Sequence, residues 1–181
     1  LTAVDSEPVQ LLDALEMHLM LRRLALQIVE ANRGIQNLLL VGIHTRGVHL
    51  ARRLGQIICE QERAEVPVGE LDVTLYRDDL REMGVRVARP TQLPVDINQC
   101  TIFLIDDVIY RGRTIRAALD ALNDYGRPRA IRLVVLLDRG HRELPIHPDY
   151  VGRIVPTSRQ ESVKVMVREI DGEDKAVLFS T

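Results

Sequence analysis

The stretch TIFLIDDVIYRGRT, from Thr101 to Thr114, decides the fold. Its first five residues, Thr101 to Ile105, make a short run with no alternating wet face, which reads as a strand buried on both sides. Two carboxylates, Asp106 and Asp107, follow where the run stops. A short turn with Gly112 comes next, and helical spacing runs from Thr114 to Tyr125, closed by Gly126 and Pro128. Gly112 has no side chain, so backbone N–H groups around it can approach an anion, and the following helix N-terminus adds partial positive charge. Thr114 adds a hydroxyl at the same place. No Lys follows the glycine, so this is not a Walker A loop. Adjacent carboxylates cannot wrap a phosphate, but they suit the neutral hydroxyls of a sugar, whose O–H groups they accept. An isolated Asp-Asp pair would read as a solvated strand end and helix cap. The complete order of strand, acid pair, turn, glycine, arginine, threonine and helix points instead to a sugar-phosphate ligand.

Working outward, two more apolar runs end in polar motifs. Leu38 to Ile43 (LLLVGI) stops at His44-Thr45-Arg46-Gly47, and Ala130 to Leu137 stops at Asp138-Arg139-Gly140-His141. A helical pattern, Val48 to about Arg63, follows the first. Apolar strands alternating with helices imply an α/β fold with a central parallel sheet flanked by helices, and in such sheets ligands bind at the carboxyl ends of the strands. Near the start, Pro8 to about Asn32 reads as an amphipathic helix, with Leu12, Leu15, Leu19 and Leu26 at helical spacing and Gly34 to end it. Leu71 to Tyr76 (LDVTLY) alternates like a strand. Arg77 to Gln99 is a long charged stretch broken by Gly84, Pro90 and Pro94. The tail alternates through Val163, Val165 and Val167, with Asp171-Gly172 as a turn signal and an apolar run to Phe179, so a C-terminal β-hairpin is expected over about 163–179. No internal repeat interrupts the chain, and residues 1–181 read as one domain.

Composition agrees with this frame. Apolar residues make up 46% of the 181, aromatics only 3%, which favours aliphatic helix-on-sheet packing. The formal net charge of −2 leaves any nucleic-acid contact to a local patch. Cys59 and Cys100 have no metal spacing around them and read as reduced thiols. No run approaches a membrane span and no signal peptide is legible, so a soluble cytoplasmic protein is the expectation. The first residue is Leu1, not Met, and the numbering is expected to begin inside the natural chain.

The order around Thr101 to Thr114 resembles the phosphoribosyl-pyrophosphate signature of type I phosphoribosyltransferases. LDVTLYRDDL at 71–80 and DRGHRELPI at 138–146, with Pro156-Thr157-Ser158 beyond, narrow the resemblance to the pyrimidine-operon regulators that are also uracil phosphoribosyltransferases. A purine phosphoribosyltransferase fits the core motif but not LYRDDL or RGHRELPI. The resemblance covers Asn32 to the terminal hairpin and implies the type I fold with a small hood.

The resemblance also implies roles. Thr45, Arg46 and Gly47 match the loop that holds pyrophosphate, where the family uses a non-proline cis peptide. Asp106 and Asp107 match the acidic pair on the ribose 2′- and 3′-hydroxyls. Tyr110, Arg111, Gly112, Arg113 and Thr114 match the 5′-phosphate loop, with Val108 just before it. Arg77 and the segment to Pro94 match a mobile loop that covers the site. Arg139 matches a residue beside the base, and Val163 lies where backbone meets the pyrimidine. The implied catalytic set is Arg46, Asp106 and Asp107, with Mg²⁺ carried mainly by phosphoribosyl pyrophosphate and no protein side chain assigned to it. Implied ligands are phosphoribosyl pyrophosphate, uracil and UMP or UTP, in a homodimer or higher homo-oligomer. A regulatory member would also bind a leader messenger RNA, partly through its first helix, where Arg22 and Arg23 are available but Leu26 and Ala31 are apolar. One departure stands out: Arg111 occupies a position where the family usually has Thr. His44, His49 and the remaining arginine clusters read as surface residues.

Overall fold

The computed structural model describes residues 8–78 and 88–180. Its main layer is a five-stranded, wholly parallel sheet in the order β3-β2-β4-β5-β6. These strands are β2 (Leu38–Ile43), β3 (Val68–Leu71), β4 (Thr101–Ile109), β5 (Ala130–Asp138) and β6 (Tyr150–Ile154). A second, antiparallel sheet joins β1 (Val9–Leu12), β8 (Lys175–Phe179) and β7 (Ser162–Met166), in the order β1-β8-β7. The helices are α1 (Ala14–Asn32), α2 (Arg46–Glu62), α3 (Arg113–Asn123) and the single turn α4 (Arg168–Asp171).

The continuous apolar runs are explained by burial on both faces. Leu38, Leu40, Phe103, Ile105, Val134 and Leu136 pack in the cluster that α1 and α2 cover. Their alternate neighbours Leu39, Val41, Ile102, Leu104, Leu133 and Val135 pack in the cluster that α3 covers. Successive side chains point to opposite faces, so only an unbroken apolar run can serve two cores.

Several boundaries differ from the sequence pattern, each for a local reason. The N-terminal run is not all helix: Val9 to Leu12 pairs with β8, and α1 starts after Asp13. There Asp13 accepts the Glu16 N–H at 2.7 Å while Glu16 accepts the Asp13 N–H at 3.0 Å, a reciprocal capping box. Of the four leucines at helical spacing only Leu12 faces the core, and it lies on β1. Leu15, Leu19 and Leu26 are more than half exposed, while Met17, Met20, Leu21, Leu24, Ala25 and Ile28 form the buried stripe. Two apolar stripes share α1, and the wider one, spaced i, i+3, i+4, i+7, wins the core.

Leu71 to Tyr76 is not a strand. The strand is Val68–Leu71, and Asp72 then accepts the Thr74 N–H at 2.6 Å, turning the chain into a 3₁₀ turn at Thr74–Tyr76. The chain between Pro128 and the tail holds an additional strand, β6, whose pattern YVGRI carries little apolar signal because it lies at the sheet edge. The expected hairpin exists, β7 against β8, but Asp171-Gly172 is no two-residue turn: α4 fills the connection and Gly172 caps it at φ 82°.

Close backbone approach fixes α2 against the sheet. A Cβ on Gly47 would lie 2.5 Å from the Ile105 carbonyl oxygen, and one on Gly42 would lie 2.4 Å from that of Gly47. Real side chains do not fit there, so two glycines let the α2 N-terminus sit directly on β4. Gly47→Ala is expected to cost about 1–3 kcal/mol, the range for overpacking a tight site, seen as a lower urea midpoint at unchanged slope. Unchanged stability would show that the approach is dispensable.

Candidate functional site

All three sequence motifs emerge at one edge because β2, β4 and β5 are parallel and in register, with Leu38 opposite Thr101 and Thr101 opposite Ala130. At the end of β2 the His44–Thr45 peptide is cis, and Arg46 begins α2. At the end of β4 the acid pair lies within the strand, which runs on to Ile109, rather than after it as the sequence suggested. This extension pairs with β5 through Asp106 opposite Val135 and Val108 opposite Leu137. Asp106 is therefore buried, at 7% exposure, and Asp107 half-buried.

Each carboxylate bonds locally: Asp106 Oδ1 accepts the Asp107 N–H at 3.0 Å, and Asp107 Oδ1 accepts the Val108 N–H at 2.8 Å. Burial pushes the Asp106 carboxyl well above the ordinary aspartate range, and the neighbouring Asp107 charge pushes it further. Burial also raises Asp107, against the lowering effects of its hydrogen bonds and of Arg46.

The turn Tyr110 to Gly112 leads into α3, with Gly112 at φ 91° in the left-handed region. Gly112 offers no side chain to cap α3, so the first-turn N–H groups have no side-chain cap. Here lies a cavity of about 220 Å³, lined by Arg77, Asp106 and residues 108–115. Arg77 Nη1 donates to Thr114 Oγ1 at 2.8 Å, crossing its wall. Arg113 donates to Asp78 at 2.7 Å and to Glu143 at 3.0 Å, joining the 77–78 end of the charged segment to α3. At the other end, Gln92 exchanges backbone hydrogen bonds with Glu70, both 2.8 Å. The middle of the expected covering loop, 79–87, lies outside the described residues.

Arg111 is half exposed, 3.3 Å from Glu143 and 5.1 Å from the Tyr110 ring centroid. Arg139 is buried with its guanidinium 4.0 Å over the same ring, and it donates to Thr157 Oγ1, the Ser158 carbonyl and the Glu161 carbonyl. Its Nε and Nη2 are thus committed to the 157–161 loop. Val163 is partly buried on β7, a strand that lies against β4. Arg22 and Arg23 sit apart on α1, where Arg22 is exposed and Arg23 donates to the β6 carbonyls of Val151 and Gly152.

Three contacts had no signal in the sequence. Arg142 donates to the Tyr110 carbonyl at 2.9 Å and to Asp138 at 2.5 Å, tying the loop after β5 to the turn after β4. Glu143 serves both Arg111 and Arg113. Asp171, from α4, binds Arg46. Apart from Asp138 and Arg142, four residues apart in one loop, these partners lie 30 to 125 residues apart and leave no spacing to read.

A parallel sheet with an acid pair and an uncapped, glycine-led helix start at one strand edge fits the phosphoribosyltransferase class that the sequence resembles. The chain belongs to this family: the phosphoribosyl transferase domain model matches residues 9–168. Within it stand the relatives called Bifunctional protein PyrR, and the chain belongs with them. That of Thermus aquaticus is 60% identical over 171 residues, 94% of each chain, and that of Deinococcus radiodurans 53% identical over 165 residues, 91% of this chain and 90% of the other. Solved structures share the fold at lower identity. A hypoxanthine phosphoribosyltransferase from Staphylococcus aureus matches at TM-score 0.69 and 20% identity, covering 98% of this chain and 96% of that one. One from Trypanosoma cruzi, in complex with the product IMP, matches at 0.71 and 16%, covering 100% and 97%.

The raised Asp106 carboxyl has a stability consequence with a definite sign. A folded-state pKa above the unfolded one means that the fold holds the extra proton, so stability falls as pH rises from the ordinary aspartate range toward the raised value. Asp106→Asn keeps an acceptor for the Asp107 N–H and removes this penalty. Its Tm is expected to exceed the parent's by about 2–4 °C at pH 7, the shift for about 1 kcal/mol in a chain of this size, with the gap closing near pH 4. Calorimetry at both pH values checks it, and a less stable variant at pH 7 contradicts it.

Proposed function

We propose that the strand-end site binds phosphoribosyl pyrophosphate and uridine nucleotides, that it joins uracil N1 to ribose C1 with release of pyrophosphate, and that nucleotide occupancy governs binding of a pyrimidine-operon leader RNA. The observation that carries the catalytic reading is the convergence of Thr45–Gly47, Asp106-Asp107 and the uncapped start of α3 on one edge. The 60% identity to a protein called bifunctional supports the pairing with regulation.

In this reading each group has a physical task. The backbone N–H groups of the Tyr110 to Thr114 turn, uncapped where α3 starts, hold the 5′-phosphate with the Thr114 hydroxyl. Asp106 and Asp107 accept the ribose hydroxyls, and because burial holds their carboxyls toward neutrality, the pair repels the nearby phosphates less than two full charges would. Arg46 and the Thr45–Gly47 backbone stabilise charge on the departing pyrophosphate, while the sugar passes through a cationic, oxocarbenium-like state. Arg77 and the 77–94 segment cover the electrophilic carbon and keep water away. Val163 meets the pyrimidine through its backbone. Arg139 acts from beneath, since its donors hold the 157–161 loop and its plane supports Tyr110. The strand end offers carboxylate oxygens, which suit a hard cation, and Mg²⁺ arriving on the diphosphate would neutralise charge on the leaving group while keeping mostly water and phosphate ligands. Arg111 loses little by leaving Glu143, since a half-exposed pair is worth about 0–1 kcal/mol, and it joins the phosphate when one binds.

For RNA, Arg22 is the better-posed contact, because Arg23 is spent on β6. The exposed Leu15, Leu19 and Leu26 on the same helix favour a second reading, a uracil phosphoribosyltransferase with no RNA role. Both readings take the chain as one cytoplasmic domain acting in a homo-oligomer.

A uracil-to-UMP assay tests the enzyme half. The wild type is expected to turn over, and Asp107→Ala to lose detectable transfer while remaining folded by circular dichroism. Wild-type kcat/KM in that variant contradicts the assignment. Filter binding of the leader hairpin tests the other half. Affinity is expected to fall steeply with salt, as phosphate contacts release counterions, to rise with UMP, and to drop in Arg22→Ala with transfer unchanged. No preference over a scrambled RNA in the presence of UMP leaves the second reading standing.

A further inference from the structure

The Arg46 side chain is gripped from the opposite end of the chain. Asp171 Oδ1 accepts from Arg46 Nη2 at 2.8 Å and Oδ2 from Arg46 Nε at 3.1 Å. The same Oδ2 accepts the Val167 N–H at 2.9 Å, so the carboxylate is itself held before it holds the arginine. Only 10% of the Asp171 side chain and 25% of that of Arg46 is exposed. Val165 and Val167, which lead into α4, are buried to 1% and 0%. The Arg46 grip thus comes from a turn anchored by the buried valines before it, not from a free tail.

A fork of this kind fixes the guanidinium in one plane and uses one of its edges. Arg has five N–H donors, so Nη1 and the second Nη2 hydrogen stay clear of Asp171. Asp107 is the other carboxylate whose field Arg46 feels. Arg46 is therefore held by α4 while also feeling the charge of the strand-end acid pair.

We propose that Asp171 is a positioning residue: it holds the Arg46 guanidinium by one edge and presents the free edge to the leaving pyrophosphate. This rests on the function proposed above. It also gives the α4 turn a task in the site. The segment from Val163 through Asp171 runs continuously from the place assigned to the base to the grip on Arg46, so the base end and the leaving-group end of the site are joined by one short piece of chain, anchored at Val165 and Val167.

The test uses the full chain and separates ligands that carry the diphosphate from one that does not. In Asp171→Asn, KM for phosphoribosyl pyrophosphate and Kd for pyrophosphate with Mg²⁺ are each expected to rise about tenfold, the scale of one hydrogen bond to a charged group. UMP, which lacks the diphosphate, should bind within about twofold of wild type by calorimetry. Arg46→Lys, which keeps the charge but cannot make the fork, should show the same split with the Asp171 turn intact, and it serves if Asp171→Asn folds poorly. A lower Tm with unchanged pyrophosphate affinity in both variants would make Asp171 a structural staple and overturn the proposal. Tighter pyrophosphate binding in Asp171→Asn would make it a competitor for Arg46, and equal weakening of UMP would deny the leaving-group end its special place. If the wild type makes no UMP yet binds pyrophosphate and UMP, the catalytic reading fails while the binding split still decides about Asp171.

Discussion

The parallel register of β2, β4 and β5 is the constraint on which the rest depends. Three strands buried on both faces can pair only with their polar ends level, and that levelling brings residues 44–47, 106–114 and 138–142 to one edge. Each motif is ordinary alone: a loop, an acidic strand end, a basic turn. Their chemistry depends on this register, since a one-residue slip would exchange the faces of every side chain and a two-residue slip would draw polar ends into the buried layers. The glycine contacts finish the arrangement by letting α2 begin against β4 with no side chain between them.

Stability and function pull against each other at the acid pair. The same extension of β4 that pairs Asp106 with Val135 takes its carboxyl out of water. A sheet end built for stability alone would place an apolar or amide side chain there. Burial instead holds both carboxyls above the ordinary aspartate range, with the Asp107 charge adding to the shift at Asp106, and such perturbed pairs gather at functional sites. The surrounding arginines are arranged the same way: Arg46, Arg113, Arg139 and Arg142 each have a protein partner, so their planes are set before any ligand arrives.

The antiparallel sheet is more than a lid on the core. β1 and β8 bring the two ends of the chain together, and β7 carries the connection to α4 and Asp171. Arg53 reinforces this junction through Glu169 and Asp174, with the latter pair at 2.7 Å. The α2 helix is thus bound at its first residue and again two turns later to the same short turn.

By itself, the sequence determined the parallel sheet, the three polar strand ends, the acid pair, the glycine turn and the family. These are local: runs of five to eight mostly apolar residues, a glycine where a turn needs one, and motifs contiguous enough to read without a partner. Tertiary structure alone decided which stripe of α1 is buried, because Leu15, Leu19 and Leu26 match helical spacing as well as the stripe that won. It decided that Val9 to Leu12 is a strand, since the partner, β8, lies at the far end of the chain. It committed Arg139 to a loop and Arg23 to β6. It also brought Asp171 to Arg46 across 125 positions. Periodicity reports the geometry of one element, whereas a side chain's partner depends on where another element comes to rest, and that is fixed only when the whole core closes.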